Sequence, residues 1–144
     1  NLYRFAHYYE EAYGKYIWLK SGASLVIEHT EAMTVIDVNT GSVLKKKKQE
    51  DTLFYQINRE AAKEIARQLR LRNISGIIMI DFINMKDTAQ KEKLLSLLDS
   101  ECKKDRVHCN VIDMTALNLV EMTRSKVRKP LHEQIRSCMK NNRS

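Results

Sequence analysis

Met33-Thr34-Val35-Ile36-Asp37-Val38-Asn39 is an apolar, β-branched run that ends in a carboxylate and an amide. A second run of the same design, Ile77-Ile78-Met79-Ile80-Asp81-Phe82-Ile83-Asn84-Met85, places Asp81 44 residues after Asp37. Short apolar runs bounded by turn formers read as buried strands. The interval leaves room for the first strand to lead out through a long helix and return beside itself. Two such neighbouring strands deliver both aspartates to one edge of a sheet, and residues held at the ends of rigid sheets are where proteins commonly place chemistry.

Between the two runs, residues 50–71 form the clearest helix. Phe54, Ile57, Ala61, Ile65 and Leu69 fall on one stripe of the 3.6-residue period, and Arg59, Lys63, Arg67 and Arg70 on another. Glu50 and Asp51 open it and Arg70 and Arg72 close it, which suits the helix dipole. Upstream, Ser21-Gly22 is a turn and 24–28 a short strand that turns at 29–31 into the central strand, 32–38. Downstream, Asp87-Thr88-Ala89-Gln90 resembles a capping box opening a helix over 88–103, whose apolar stripe is Leu94, Leu95, Leu97, Leu98 and Cys102. Strands are expected at 77–81, 107–112 and 119–123, and a weak helix from Leu131 decays into a frayed tail. Residues 5–17 allow an amphipathic helix, but Phe5, Tyr8, Tyr9, Tyr13 and Tyr16 spread over too many faces to define one stripe, and the segment is expected to be poorly ordered. The order predicts an α/β (α+β) fold, a mixed sheet covered by two main helices, with a helical crossover joining 32–38 to 77–81 if those strands are parallel.

At 144 residues the chain is one domain with enough length to bury a core, and 43% hydrophobic residues is ordinary for a globular protein. The longest apolar runs are too short for a transmembrane helix, and Arg4, Glu10, Glu11 and Lys15 interrupt any signal peptide. Cys102, Cys109 and Cys138 include no CxxC pair, which argues against a disulfide framework or zinc ribbon and fits a reducing cytoplasm. A first residue other than Met suggests a piece of a longer chain. The net charge of +7 and pI near 9.4 favour a polyanionic partner such as nucleic acid, or else serve solubility alone.

Asp37 and Asp81 carry the sharpest chemical reading. Magnesium prefers one or two carboxylates supplemented by water and substrate phosphate oxygens, and a pair of strand-end aspartates is the minimum for that. The ion would polarise a phosphodiester oxygen and supply hydroxide near neutral pH. The competing reading is that each aspartate only caps the turn after its strand. Asn39, two residues past Asp37, points to the same side if the strand continues and is suited to orient bound water or phosphate, or else forms a turn, and Asn84 is read the same way. For phosphate contacts the candidates are Lys45 and Lys46 in the run Lys45–Lys48, and Arg124, Lys126 and Arg128, with no acid between Glu121 and Glu133. The Arg59–Arg70 stripe could follow a phosphate backbone or form a solvated face paired with Glu60 and Glu64. His7, His29, His108 and His132 have no ligand spacing, and phosphate-binding glycine loops and GxSxG elbows are lacking.

These residues together resemble the catalytic subdomain of the ribonuclease E/G family of bacterial endoribonucleases. The resemblance rests on Ser21-Gly22 with Val26-Ile27-Glu28, Thr30-Glu31-Ala32, Ile36-Asp37-Val38-Asn39-Thr40-Gly41, Asn58, Glu60-Ala61-Ala62 and Glu64 through Arg72. Ile80-Asp81-Phe82-Ile83 and Val120-Glu121-Met122-Thr123-Arg124 complete it, in the family's order and spacing from about Trp18 to Arg128. It implies a deoxyribonuclease-I-like α/β subdomain in which Asp37 and Asp81 hold one Mg2+ (Mn2+ substituting) and Asn39 supports the site. It further implies cleavage of single-stranded RNA to 5′-phosphate and 3′-hydroxyl ends by a cytoplasmic, homo-oligomeric parent enzyme. On this reading 1–17 is left from a preceding subdomain, 18–129 is the metal-binding catalytic subdomain and 130–144 a C-terminal helix and tail. The pattern also departs from the family: the paired cysteines that share zinc between protomers are absent, so zinc is not expected. Asn84 stands where Asp is usual, His108 near a usual Arg, and Asn118 for a usual Gly. Those changes keep open an alternative, a non-catalytic RNA-binding or assembly module with a vestigial metal site. A structural domain with an incidental basic surface is the third possibility.

Overall fold

The structure, a computed structural model, describes residues 2–41, 50–127 and 131–141. Chain order is α1 (Leu2–Tyr13), β1 (Tyr16–Trp18), β2 (Ser24–His29), β3 (Thr34–Asn39), α2 (Glu50–Leu71), β4 (Gly76–Asp81), α3 (Thr88–Cys102), β5 (Cys109–Met114), β6 (Val120–Arg124) and α4 (Leu131–Asn141). The six strands form one mixed sheet in the order β1-β2-β3-β4-β6-β5. β3 and β4 pair in parallel, and every other neighbouring pair is antiparallel. The parallel pair requires the long crossover that α2 supplies.

Alternation along the strands sorts the residues between faces. Leu25 and Ile27, Ile36 and Val38, Ile78 and Ile80, and Val120 and Met122 are buried together with Ile57, Ala61, Ile65 and Leu69 of α2 and Leu94, Leu98 and Cys102 of α3. Burying this apolar face is the main source of stability for both helices, since helices gain little alone in water. The other face carries Val35, Asp37 and Asn39 of β3 and Ile77, Met79 and Asp81 of β4, none of them buried.

The helix at 50–71 and the strand-end placement of both aspartates are as the periodicity predicts. Asp87 caps α3 by accepting a hydrogen bond from Ala89 N at 2.9 Å. The reciprocal half of the capping box is not made, because Gln90 Oε1 is buried without a partner. The N-terminal helix spans Leu2–Tyr13 rather than 5–17, because Tyr16–Trp18 pairs with β2 as an edge strand that the aromatic-rich sequence disguised. The strand expected at 107–112 begins at Cys109, since Val107 N is tied to the Asp105 carboxylate at 3.0 Å. At the opposite end of the sheet from the aspartates, α4 meets the rest of the chain: Leu131 N donates to Arg72 O at 2.7 Å, Arg136 Nε donates to Tyr13 Oη at 3.1 Å, and the rings of His29 and His132 stack 3.9 Å apart.

Candidate metal centre

Asp37 and Asp81 are directly opposite each other across the parallel β3–β4 pair. Strand spacing is about 4.8 Å, so two side chains leaving the same face from opposed positions lie within reach of one ion. Asp37 is half-buried and Asp81 exposed. Burial and the neighbouring Asp81 charge push the Asp37 carboxyl above its ordinary range, while a hydrogen bond with the Asn39 side chain opposes the rise. A carboxylate whose proton affinity is raised by a like-charged neighbour is equally a place where a divalent cation is favoured. Among the described residues no cluster of three His, Cys, Asp or Glu side chains forms a closed metal cage. A two-carboxylate set fits a hard, water-rich ion such as Mg2+, which completes its shell with waters and substrate oxygens.

The segment after Asp81 is fixed from α2. Asn58 is fully buried, and its side chain donates to Ile83 O at 2.8 Å and accepts from Ile83 N at 2.9 Å. Phe82 and Met85 sink into the core on either side of that clamp. Asp81 is thereby held outward by a backbone bound on one side to the sheet and on the other to a helix. Asn58 is a positioning residue to which composition and charge gave no role; the available signal was an amide beside Ile57 on an otherwise apolar stripe.

The phosphate candidates fare unevenly. Lys45, Lys46 and Arg128 lie outside the described residues. Lys126 is exposed, beside a cavity at the end of the sheet that the stacked histidines occupy. Arg124 is not a surface cation: it is 4% exposed and donates through Nε to Asp105 Oδ2 at 2.9 Å and through Nη1 to Asn73 Oδ1 at 2.8 Å. The acid missing from its sequence neighbourhood is supplied from across the fold. In the α2 stripe Arg67 pairs with Glu64 at 2.8 Å, as a solvated face would, whereas Glu60 accepts from Ser21 N at 3.3 Å. Asn84 is exposed in the loop after β4, and Asn118 adopts a left-handed φ of 61°.

The ribonuclease E/G family model matches residues 1–127. The chain belongs to the ribonuclease E/G family. It is 45% identical over 122 residues to ribonuclease G of Escherichia coli K12, covering 85% of this chain and 25% of that protein. Ribonuclease G of Haemophilus influenzae is 47% identical over 122 residues, again 85% and 25%. Ribonuclease E of a Nostoc species is 42% identical over 115 residues, 80% of this chain and 17% of the relative. The chain thus spans about a quarter of the length of the ribonuclease G relatives it matches. Both aspartates, Asn39 and Asn58 fall inside the family match. No helix among the described residues is long and apolar enough to cross a membrane.

Proposed function

We propose that this chain is the metal-binding catalytic subdomain of a Mg2+-dependent endoribonuclease that cuts single-stranded RNA and leaves 5′-phosphate ends. The observation that carries the reading is the in-register pairing of Asp37 with Asp81 on the open face of the sheet. When bound, the ion would polarise the scissile phosphate and lower the pKa of the attacking water. Asp37 and Asp81 would hold it from the protein side, where a cation would relieve the repulsion between them. Asn39 keeps the Asp37 carboxylate oriented through their hydrogen bond. Asn58 keeps the Asp81 backbone from drifting away from β3. With only two protein ligands, affinity for the ion depends on phosphate oxygens from RNA, so the isolated chain binds Mg2+ weakly and cuts slowly. A cytoplasmic setting, a homo-oligomeric full-length enzyme and substitution by Mn2+ belong to the same reading and rest on family resemblance.

The test is cleavage of a short, unstructured, A/U-rich RNA with and without Mg2+, with product ends mapped. The expected result is slow cleavage to 5′-phosphate ends that needs the metal and disappears in Asp37→Asn and Asp81→Asn, both still folded by circular dichroism. RNA cutting that survives in the double variant would contradict the proposal.

A further inference from the structure

Two large aromatic side chains stand on the edge strand next to the carboxylate pair. Tyr16 is 62% exposed and Trp18 73% exposed, whereas Phe82, just past β4, is withdrawn into the core. The register ties them to the metal centre: Tyr16 is opposite Val26 on β2, Val26 is opposite Asp37 on β3, and Asp37 is opposite Asp81 on β4. One cross-strand row therefore runs Tyr16–Val26–Asp37–Asp81, and Trp18, two residues along β1, belongs by alternation to the same face. At about 4.8 Å per strand, Tyr16 stands roughly 10 Å from Asp37 along that row. That distance suits a nucleotide neighbouring the one whose phosphate lies at the carboxylates.

The surroundings of the aromatics are charged. Lys15 Nζ lies 5.7 Å from the centre of the Tyr16 ring and pairs with Glu28 at 3.0 Å. At the sheet edge Trp18 also borders a groove of about 460 Å3 that opens toward the α2 side, lined by Lys20, Lys63, Arg67 and Arg70 against two acids, Glu60 and Glu64. An exposed apolar patch usually marks a binding surface. Flat rings on the same face as a phosphodiester-directed carboxylate pair, with cations at the sheet edge beside them, are matched by single-stranded nucleic acid, whose bases stack on the rings while its phosphates meet the cations.

We infer that Tyr16 and Trp18 form a base-stacking subsite that holds a nucleotide adjacent to the scissile phosphate of single-stranded RNA. This rests on the nuclease reading for the identity of its ligand. Stacking on a ring is sequence-tolerant because every base offers a π face, so the subsite contributes grip and alignment rather than base choice. The occupant is RNA; a second copy of the chain laid over the same rings is the competing outcome.

Trp18 is the only tryptophan, so its emission reports on the subsite directly. The experiment titrates a short unstructured RNA into this chain in EDTA, where nothing is cut, and follows tryptophan emission, with affinity read separately from the anisotropy of labelled RNA. Expected are quenching by RNA but not by inorganic polyphosphate, affinity about tenfold weaker in Trp18→Ala and near wild type in Trp18→Phe, and a smaller loss in Tyr16→Ala. RNA binding without quenching, equal affinity in Trp18→Ala, equal quenching by polyphosphate, no RNA binding, or emission that changes with protein concentration alone would each overturn the subsite. The two readings separate through Asp37→Asn. Quenching retained while Mg2+-dependent cleavage is undetectable even in wild type refutes the nuclease chemistry and supports the stacking. Cleavage intact with no quenching refutes the stacking alone.

Discussion

Arg124 Nε donates to Asp105 Oδ2 at 2.9 Å across the fold, with the two side chains only 3% and 5% exposed. A second arm of the guanidinium reaches Asn73 Oδ1 and Ile74 O, so the end of β6 is tied both to the turn before β5 and to the turn after α2. Burial works to raise the Asp105 carboxyl, but hydrogen bonds from Arg124 and the Val107 N–H outweigh it and hold the group below its ordinary range. Breaking one side of such a pair leaves a buried charge uncompensated and costs about 3–5 kcal/mol. Arg124→Ala is therefore expected to lower the urea midpoint sharply, whereas a phosphate-contacting arginine would chiefly reduce RNA affinity and its salt dependence. Because the Asp105 shift is downward, its stabilising contribution is present above the unfolded carboxylate pKa and is lost as pH falls through the lower folded value.

Asn58 offers a way to disturb the proposed metal centre without touching a carboxylate. Asn58→Ala removes both hydrogen bonds to Ile83 and strands a part-buried backbone N–H and C=O, which costs about 1–3 kcal/mol. Urea unfolding should show that loss, and a Mn2+ titration of the folded variant should show weaker binding than wild type.

Asp37 is held at a disadvantage in the metal-free protein. Its upward shift comes from burial and then from Asp81, so the folded state binds a proton there more readily than the unfolded chain does. Stability of the metal-free protein should therefore improve as pH falls through the Asp37 pKa, while metal affinity declines over the same range. Asp37→Asn removes the repulsion and should raise metal-free stability by about 0.5 kcal/mol, as exposed charge pairs do, at the expense of the site. Thermal melts with and without Mg2+ check both halves: added metal should stabilise wild type and leave the variant unchanged.

The stacked histidines give the opposite pH response. Burial first, then His132, Arg72 and Arg136, pull His29 down to about 4, and burial likewise lowers His132. Their contribution is complete above the ordinary histidine value of about 6.5 and fades as pH drops from there toward 4. Loss of the α4 contacts before global unfolding, followed by amide exchange of residues 131–141 at pH 7 and pH 5, is the expected signature. His29→Gln should flatten that dependence.

The elements closest to expectation are those whose period repeats. α2 shows its apolar stripe over 22 residues, and the two apolar runs form β3 and β4. What periodicity could not reveal depends on partners far apart in the chain. The cluster beginning at Arg124 looked uniformly basic because its acid, Asp105, comes from another turn, and β1 is three residues of aromatic sequence whose strand identity exists only through pairing with β2. Asn118 is legible in hindsight: its left-handed φ explains why glycine suits that position and why asparagine, which tolerates the same conformation, replaces it. The opposition of Asp37 to Asp81 follows from a parallel β3–β4 register that the 44-residue spacing permitted without requiring.

The most direct measurement of a shared metal site is a Mg2+ and Mn2+ titration of this chain followed through backbone amide resonances, alone and with a short non-cleavable RNA. Shifts and Mn2+ broadening confined to residues 37–39 and 81–84, strengthened by RNA and absent from Asp37→Asn, are expected. Absence of localised change with RNA present, or the same change persisting when both aspartates are replaced, would contradict the site.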